Sequence, residues 1–224
     1  MNFLCHALPY LDQPWVAVAT GVPDWLRMAD RSIRARSRLA QPFLKSDDPC
    51  LRSVAYGLIR HVDDDRWFHG TRAFAETNLR LAVELRELLP GDAGFRPTFV
   101  GHILIEMLLD ASWIRRDGTL AEQYYASIEE VTADAIESHV NRITGKPTDR
   151  LANVIRRFSR ARFLFDYLDP ARLLWRLNQV MGRVRLPALP ARVGRWLPEA
   201  EKVVESRRRE LLTPPDGVSH FAIS

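Results

Sequence analysis

The stretch Gly57-Leu58-Ile59-Arg60-His61-Val62-Asp63-Asp64-Asp65-Arg66-Trp67-Phe68-His69 most restricts what this chain can fold into. Val54, Leu58, His61, Asp65 and Phe68 follow the alternating three- and four-residue spacing of a buried helical stripe. His61, Asp65 and His69 recur at every fourth residue, which stacks them on that face. Imidazoles and a carboxylate in a core stripe cost on the order of several kcal/mol unless something satisfies them. A bound metal ion would do so, because nitrogen and oxygen donors of these types are its usual ligands. A buried polar network holding helices in register is the alternative.

The remaining punctuation is helical. Asp47-Asp48-Pro49 is an acidic cap followed by proline at the first helical position, and the helix it opens runs to His69, where Gly70 breaks it. Thr71 caps a second helix through Leu89, ended by Pro90-Gly91. Pro97 opens a helix to about Ile114 that is apolar nearly all round except at His102 and Glu106, four apart on one face. The other expected helices span Trp25 to Leu39 (with Asp24 as its cap), Thr119 to Ser138 (opened by a Thr119-x-x-Glu122 capping box), 148–168, 170–183 and Pro198 to Leu212. Residues 1–7 form an irregular segment or short helix, and the tail to Ser224 is loose. The expectation is an all-α protein with residues 1–145 as a helical metal-site core. Residues 146–224 form an arginine-rich helical extension packed on it.

Charge is distributed unevenly. Residues 1–150 carry 18 Lys and Arg against 21 Asp and Glu, whereas residues 151–224 carry 14 against 7. Lys45, Lys146 and Lys202 are the only lysines, so the basic charge is nearly all arginine, which suits bidentate contact with carboxylate or phosphate. The C-terminal third, with Arg156, Arg157 and Arg160, is a candidate surface for an acidic protein, a nucleic acid or an anionic membrane; solvated helix faces are the plainer reading. Two cysteines without a CxxC spacing suit a reducing cytoplasm. No stretch has the length of a membrane span, and the apolar start lacks the positive region of a signal peptide.

Four of the six histidines, His6, His61, His69 and His102, lie in apolar surroundings in the first half of the chain. Asp65 and Glu106 stand at helical spacing from two of them. Asp24 is either a helix cap or a further ligand or ligand support. Asp63 and Asp64 point away from the stripe, solvated or paired with arginine. Trp67 and Trp113 are core residues or pocket walls. No Walker loop, GxSxG elbow or GxGxxG occurs, so nucleotide-binding and serine-hydrolase chemistries lack support.

At these residues the chain resembles the acyl-carrier-protein phosphodiesterases, helical metal hydrolases related to HD-domain phosphohydrolases. Met1-Asn2-Phe3-Leu4-Cys5-His6 is similar to that family's MNFLAH start. Gly21 to Trp25 falls on its glycine-led segment ending in Asp-Phe. Gly57 to His61 with Asp65 is similar to its glycine, histidine and aspartate pattern. Phe99 to Trp113 stands at its Asp-x-x-x-Asp-His helix ending in tryptophan. The resemblance covers roughly the first 115 residues. It departs at Val62, where the family has arginine, at His69, where it has aspartate, and at His102, Glu106 and Met107, where it has two aspartates and a histidine.

The resemblance implies a single HD-like domain with a C-terminal extension, and hydrolysis of the phosphodiester that joins phosphopantetheine to a carrier-protein serine. One or two ions of manganese, iron or zinc would be held by His6, Asp24, His61, Asp65, His69, His102 and Glu106. Asp65 or Glu106 would serve as general base, and Arg60, Arg66 and Arg72 would hold the phosphate, with acyl carrier protein as the acidic partner. Two other functions compete: a zinc phospholipase- or nuclease-like hydrolase, and a non-catalytic helical protein that binds an acidic partner through its C-terminal arginines.

Overall fold

Asp48 Oδ1 accepts hydrogen bonds from the backbone N–H groups of Cys50 and Leu51 at 3.0 and 3.2 Å. This satisfies the first turn of the helix that Pro49 opens. Thr71 Oγ1 caps the next helix through Phe74 N–H at 3.2 Å, and Asp169 does the same through Arg172 N–H at 2.8 Å. The structure, a computed structural model, describes residues 1–89, 91, 94–215, 217 and 221. It is all-α, with no strand among these residues. Its helices are α1 (Phe3–Ala7), α2 (Pro14–Thr20), α3 (Val22–Ala29), α4 (Ser37–Ala40), α5 (Pro49–Gly70), α6 (Arg72–Leu88), α7 (Pro97–Arg116), α8 (Thr119–Val131), α9 (Ala133–Thr144), α10 (Leu151–Ala161), α11 (Pro170–Arg183), α12 (Ala191–Ser206) and α13 (Arg208–Leu211). Three 3-10 segments, Leu8–Tyr10, Gln41–Lys45 and Phe163–Leu168, complete the elements. Pro90, expected to end α6, and most of the tail after Pro215 lie outside the described residues.

Several boundaries differ from expectation, each for a local reason. The arginine-rich helix expected to reach Leu39 stops at Ala29. There Asp30 turns extended and its carboxylate accepts a hydrogen bond from Ser32 N–H, a local bond that competes with helix. Asp24 is no cap: it sits inside the first turn of α3, and Gly21 precedes the helix. The expected helix from Thr119 is interrupted at Thr132, at φ 55°, and Thr119 is its first helical residue rather than its cap. The segment 148–168 is divided by Arg162, at φ 44°. Pro198 lies within α12 instead of opening it, because the extended Pro190 already starts that helix.

Contacts divide the chain into two compact units, and this division is not the one expected at residue 145. The first comprises Met1, Phe3–Arg66 and Gly118–Arg162. The second comprises Asn2, Trp67–Asp117 and the described residues from Phe163 onward. The boundary therefore falls within α5. In the first unit α2 packs on α8 and α10 packs on α3 and α9. Phe3 stacks on Trp25 at 5.7 Å and meets Phe158 at 4.7 Å, which ties α1 into the core. Gly57 lets α2 press on α5: a β-carbon there would stand 2.6 Å from Ala19 Cβ and 2.7 Å from the Val16 carbonyl. In the second unit α6 and α7 pack closely, with α12 against both. α7 is buried along most of its length, as its composition requires, and Leu104, Ile105 and Leu109 are fully enclosed. No helix among the described residues is long and apolar enough to cross a membrane.

Candidate metal centre

The stripe on α5 is buried at Val54, Leu58, His61 and Phe68, all at most 2 % exposed, while Asp65, its fifth expected member, is 25 % exposed. α1, held by Phe3, brings His6 over it, and the two imidazoles stack with centroids 4.2 Å apart. Both rings turn Nε2 toward Asp65, His6 at 3.2 Å from Oδ1 and His61 at 3.4 Å from Oδ2. One donor atom from each residue lies within 4.8 Å of the others, so a single ion could reach all three. Among the described residues, His6 Nδ1 and Nε2 and His61 Nδ1 are buried without a well-formed hydrogen bond: the Asp64 and Asp65 carboxylates face His6 at 3.9 and 3.2 Å, and the Thr20 backbone faces His61. Buried polar atoms with poor hydrogen-bond geometry are costly, and a bound cation would satisfy them. The residues fit a metal ion.

The electrostatics agree. Burial, with the nearby His6, pushes the His61 pKa well below its ordinary value and keeps a lone pair available. Burial and the Met1 α-ammonium oppose a charge on His6, but the facing carboxylates of Asp64 and Asp65 outweigh them and raise its pKa. Burial alone would raise the Asp65 carboxyl. His6, the α-ammonium, which donates to Oδ1 at 2.7 Å, and His61 instead hold it far below the carboxylate range. Asp65 is thus an anionic donor between two imidazoles.

His69 does not join them. Eight residues of α-helix advance about 12 Å and leave roughly 80° of rotation between His61 and His69, which stacking by fours overlooks. In the second unit His69 meets His102 and Glu106 of α7: both Nε2 atoms face Glu106 Oε1, at 2.8 and 3.2 Å, and the rings lie 4.4 Å apart. Gly101, beside His102, allows α6 to approach, with Asn78 Oδ1 2.6 Å from where its β-carbon would be. Burial works to raise the Glu106 carboxyl, and the two imidazoles are among the groups that keep it well below the ordinary range. The single constellation expected from sequence is therefore two triads, His6–His61–Asp65 and His69–His102–Glu106.

The other expected site residues are placed elsewhere. Asp24 belongs to neither triad, and its carboxylate lies 3.7 Å from Arg27. Arg60 is held by Asp64 at 2.6 Å and by the Tyr10 hydroxyl at 2.9 Å, so it is anchored behind the first triad. Arg66 is exposed and pairs with Asp63; Arg72 is exposed and pairs with Glu76. Arg156, Arg157 and Arg160 lie on the exposed side of α10, Arg156 paired with Asp134. Trp113 is buried under the Arg208 guanidinium at 4.0 Å, a core residue.

Asp64, expected to point away from the stripe and to be solvated or paired with arginine, does pair with arginine but is not solvated. It is buried, and its Oδ2 lies 3.9 Å from His6 Nδ1 while Oδ1 takes the Arg60 hydrogen bond. The four-residue interval from Arg60 to Asp64 was its signal. Comparisons of the chain with protein families, with curated proteins and with solved structures give no match.

Proposed function

We propose that the chain is a metal-dependent phosphoester hydrolase whose ion is held by His6, His61 and Asp65. The observation that carries this reading is the convergence of two buried imidazoles, His6 and His61, on an ionised Asp65, with three of their ring nitrogens lacking a well-formed hydrogen bond. A divalent ion of manganese, iron or zinc bound there would polarise a phosphoryl oxygen and make hydroxide available near neutral pH. The chain supplies the rest. Asp65 fixes both imidazoles, and Asp64, itself held by Arg60, stands behind His6 as the carboxylate that orients a ligating histidine. The resemblance of the His6, Gly57–His61 and Asp65 segments to acyl-carrier-protein phosphodiesterases supports a phosphodiester substrate, such as phosphopantetheine on a carrier serine. Val62 and Met107 stand where that family has arginine and histidine, which favours a changed substrate. Exposed Arg157 and Arg160 suit an acidic partner such as a carrier protein, and the free Cys5 and Cys50 suit a reducing cytoplasm.

The test is turnover of bis(p-nitrophenyl) phosphate and of holo acyl carrier protein, with manganese or zinc, by wild type and Asp65→Asn. Metal-dependent turnover by wild type, lost in a folded Asp65→Asn, is expected. Absence of turnover on a broad phosphoester panel with metal bound would overturn the reading.

A further inference from the structure

The hydrolase reading uses the first triad alone, yet the second has a coordination geometry of its own. We infer that His69, His102 and Glu106 form a separate, exchangeable site for a first-row divalent transition-metal ion such as zinc.

Three observations carry it. His102 and Glu106 are four residues apart on α7, so one helix face presents a nitrogen and an oxygen donor together, and α5 contributes His69 from a second helix. Both Nε2 atoms converge on one carboxylate oxygen, His69 in a 2.8 Å hydrogen bond and His102 at 3.2 Å, so the donor atoms all lie within 4.8 Å of one another, within reach of one ion that would replace that hydrogen bond. The walls are aromatic: Phe74 lies edge-on to both imidazoles, 4.9 Å from His69 and 5.0 Å from His102, and Phe68 lies 5.3 Å from His69. These walls fix the rings, and nothing in them competes as a ligand. Two imidazoles and one carboxylate favour zinc, iron or manganese over magnesium or calcium, which prefer oxygen-only shells.

Exposure separates this triad from the first. The His69 and His102 side chains are 29 % and 34 % exposed, against 1 % and 3 % for His6 and His61. Two imidazoles open to solvent, with the Glu106 carboxylate 13 % exposed beside them, leave positions for water or a small anion. An ion there would load and leave readily past the exposed imidazoles, whereas at the first triad only Asp65, 25 % exposed, reaches solvent.

Equilibrium dialysis of tag-free full-length protein against cobalt(II) and zinc, followed by brief exposure to a mild chelator, tests this. Wild type should take up two equivalents, one removed by the chelator within minutes and one retained. His102→Ala should lose only the quickly removed equivalent, and His61→Ala only the retained one. Glu106→Gln, which preserves shape, serves if His102→Ala does not fold. Wild-type stoichiometry in both His102→Ala and Glu106→Gln would overturn the inference. A single equivalent lost only in His61→Ala would also overturn it, leaving the hydrolase reading intact. A single equivalent lost only in His102→Ala would support the inference and overturn the hydrolase reading.

Discussion

A β-carbon on Gly57 would stand 2.6 Å from Ala19 Cβ, closer than packed carbon atoms approach. The neighbouring Val16 carbonyl, at 2.7 Å, is backbone and cannot swing aside. Gly57→Ala therefore forces α2 off α5 one turn before His61. Overpacking costs about 1–3 kcal/mol, and the roughly 1 kcal/mol gained in helix propensity offsets only part of it. Gly101→Ala meets chiefly the Asn78 side-chain oxygen, which can rotate away. Thermal melts should show a clear loss for Gly57→Ala and little change for Gly101→Ala; equal losses would contradict this packing.

Arg60 and Arg66 are equally plausible phosphate ligands in sequence, but their environments differ. Arg60→Ala leaves the buried Asp64 without its 2.6 Å partner and should cost about 2–3 kcal/mol in urea unfolding. Arg66 is 73 % exposed, and Arg66→Ala should leave the midpoint unchanged. A larger loss for Arg66→Ala would contradict the structure.

These contrasts show how far the sequence was legible. α5, α6 and α11 were readable because Asp48, Thr71 and Asp169 are side-chain caps followed by apolar periodicity. The breaks at Thr132 and Arg162 were not, since neither residue type announces a positive φ. The candidate ligands His61, Asp65, His69, His102 and Glu106 were readable from helical spacing, and His6 from its apolar surroundings. Their separation into two triads was not, because spacing along α5 does not say which helix supplies the third ligand. The arginine pairing of Asp64 was legible, but its closeness to His6 was not, because α1 brings that ring over α5.

Thr132 occupies φ 55° and ψ 133° at an exposed position between α8 and α9. A β-branched residue there stores about 1–3 kcal/mol of strain, more than the roughly 0.5–1 kcal/mol that glycine adds in chain entropy. Thr132→Gly should raise the melting temperature. A fall would show that the strain is absent.

Glu205 accepts hydrogen bonds from Ser112 at 2.6 Å and Arg116 at 2.7 Å. Burial pushes its carboxyl up, but Arg116 and Ser112 together hold it below the ordinary value. Because the folded pKa lies below the unfolded one, this stabilisation is present above the unfolded value of about 4.3 and disappears as pH falls through the folded value. Glu205→Gln should be less stable than wild type near neutral pH and converge with it in acid, as pH falls below the folded-state value. Urea midpoints across that range check it, and a gap that persists in acid would contradict it.

The most direct test of the central claim is elemental analysis of protein dialysed exhaustively without chelator, for wild type and a folded His61→Ala variant. Wild type should retain close to one ion of manganese, iron or zinc per chain, and His61→Ala essentially none. If neither retains metal, even after reconstitution, His6, His61 and Asp65 form a buried polar network and the hydrolase reading fails.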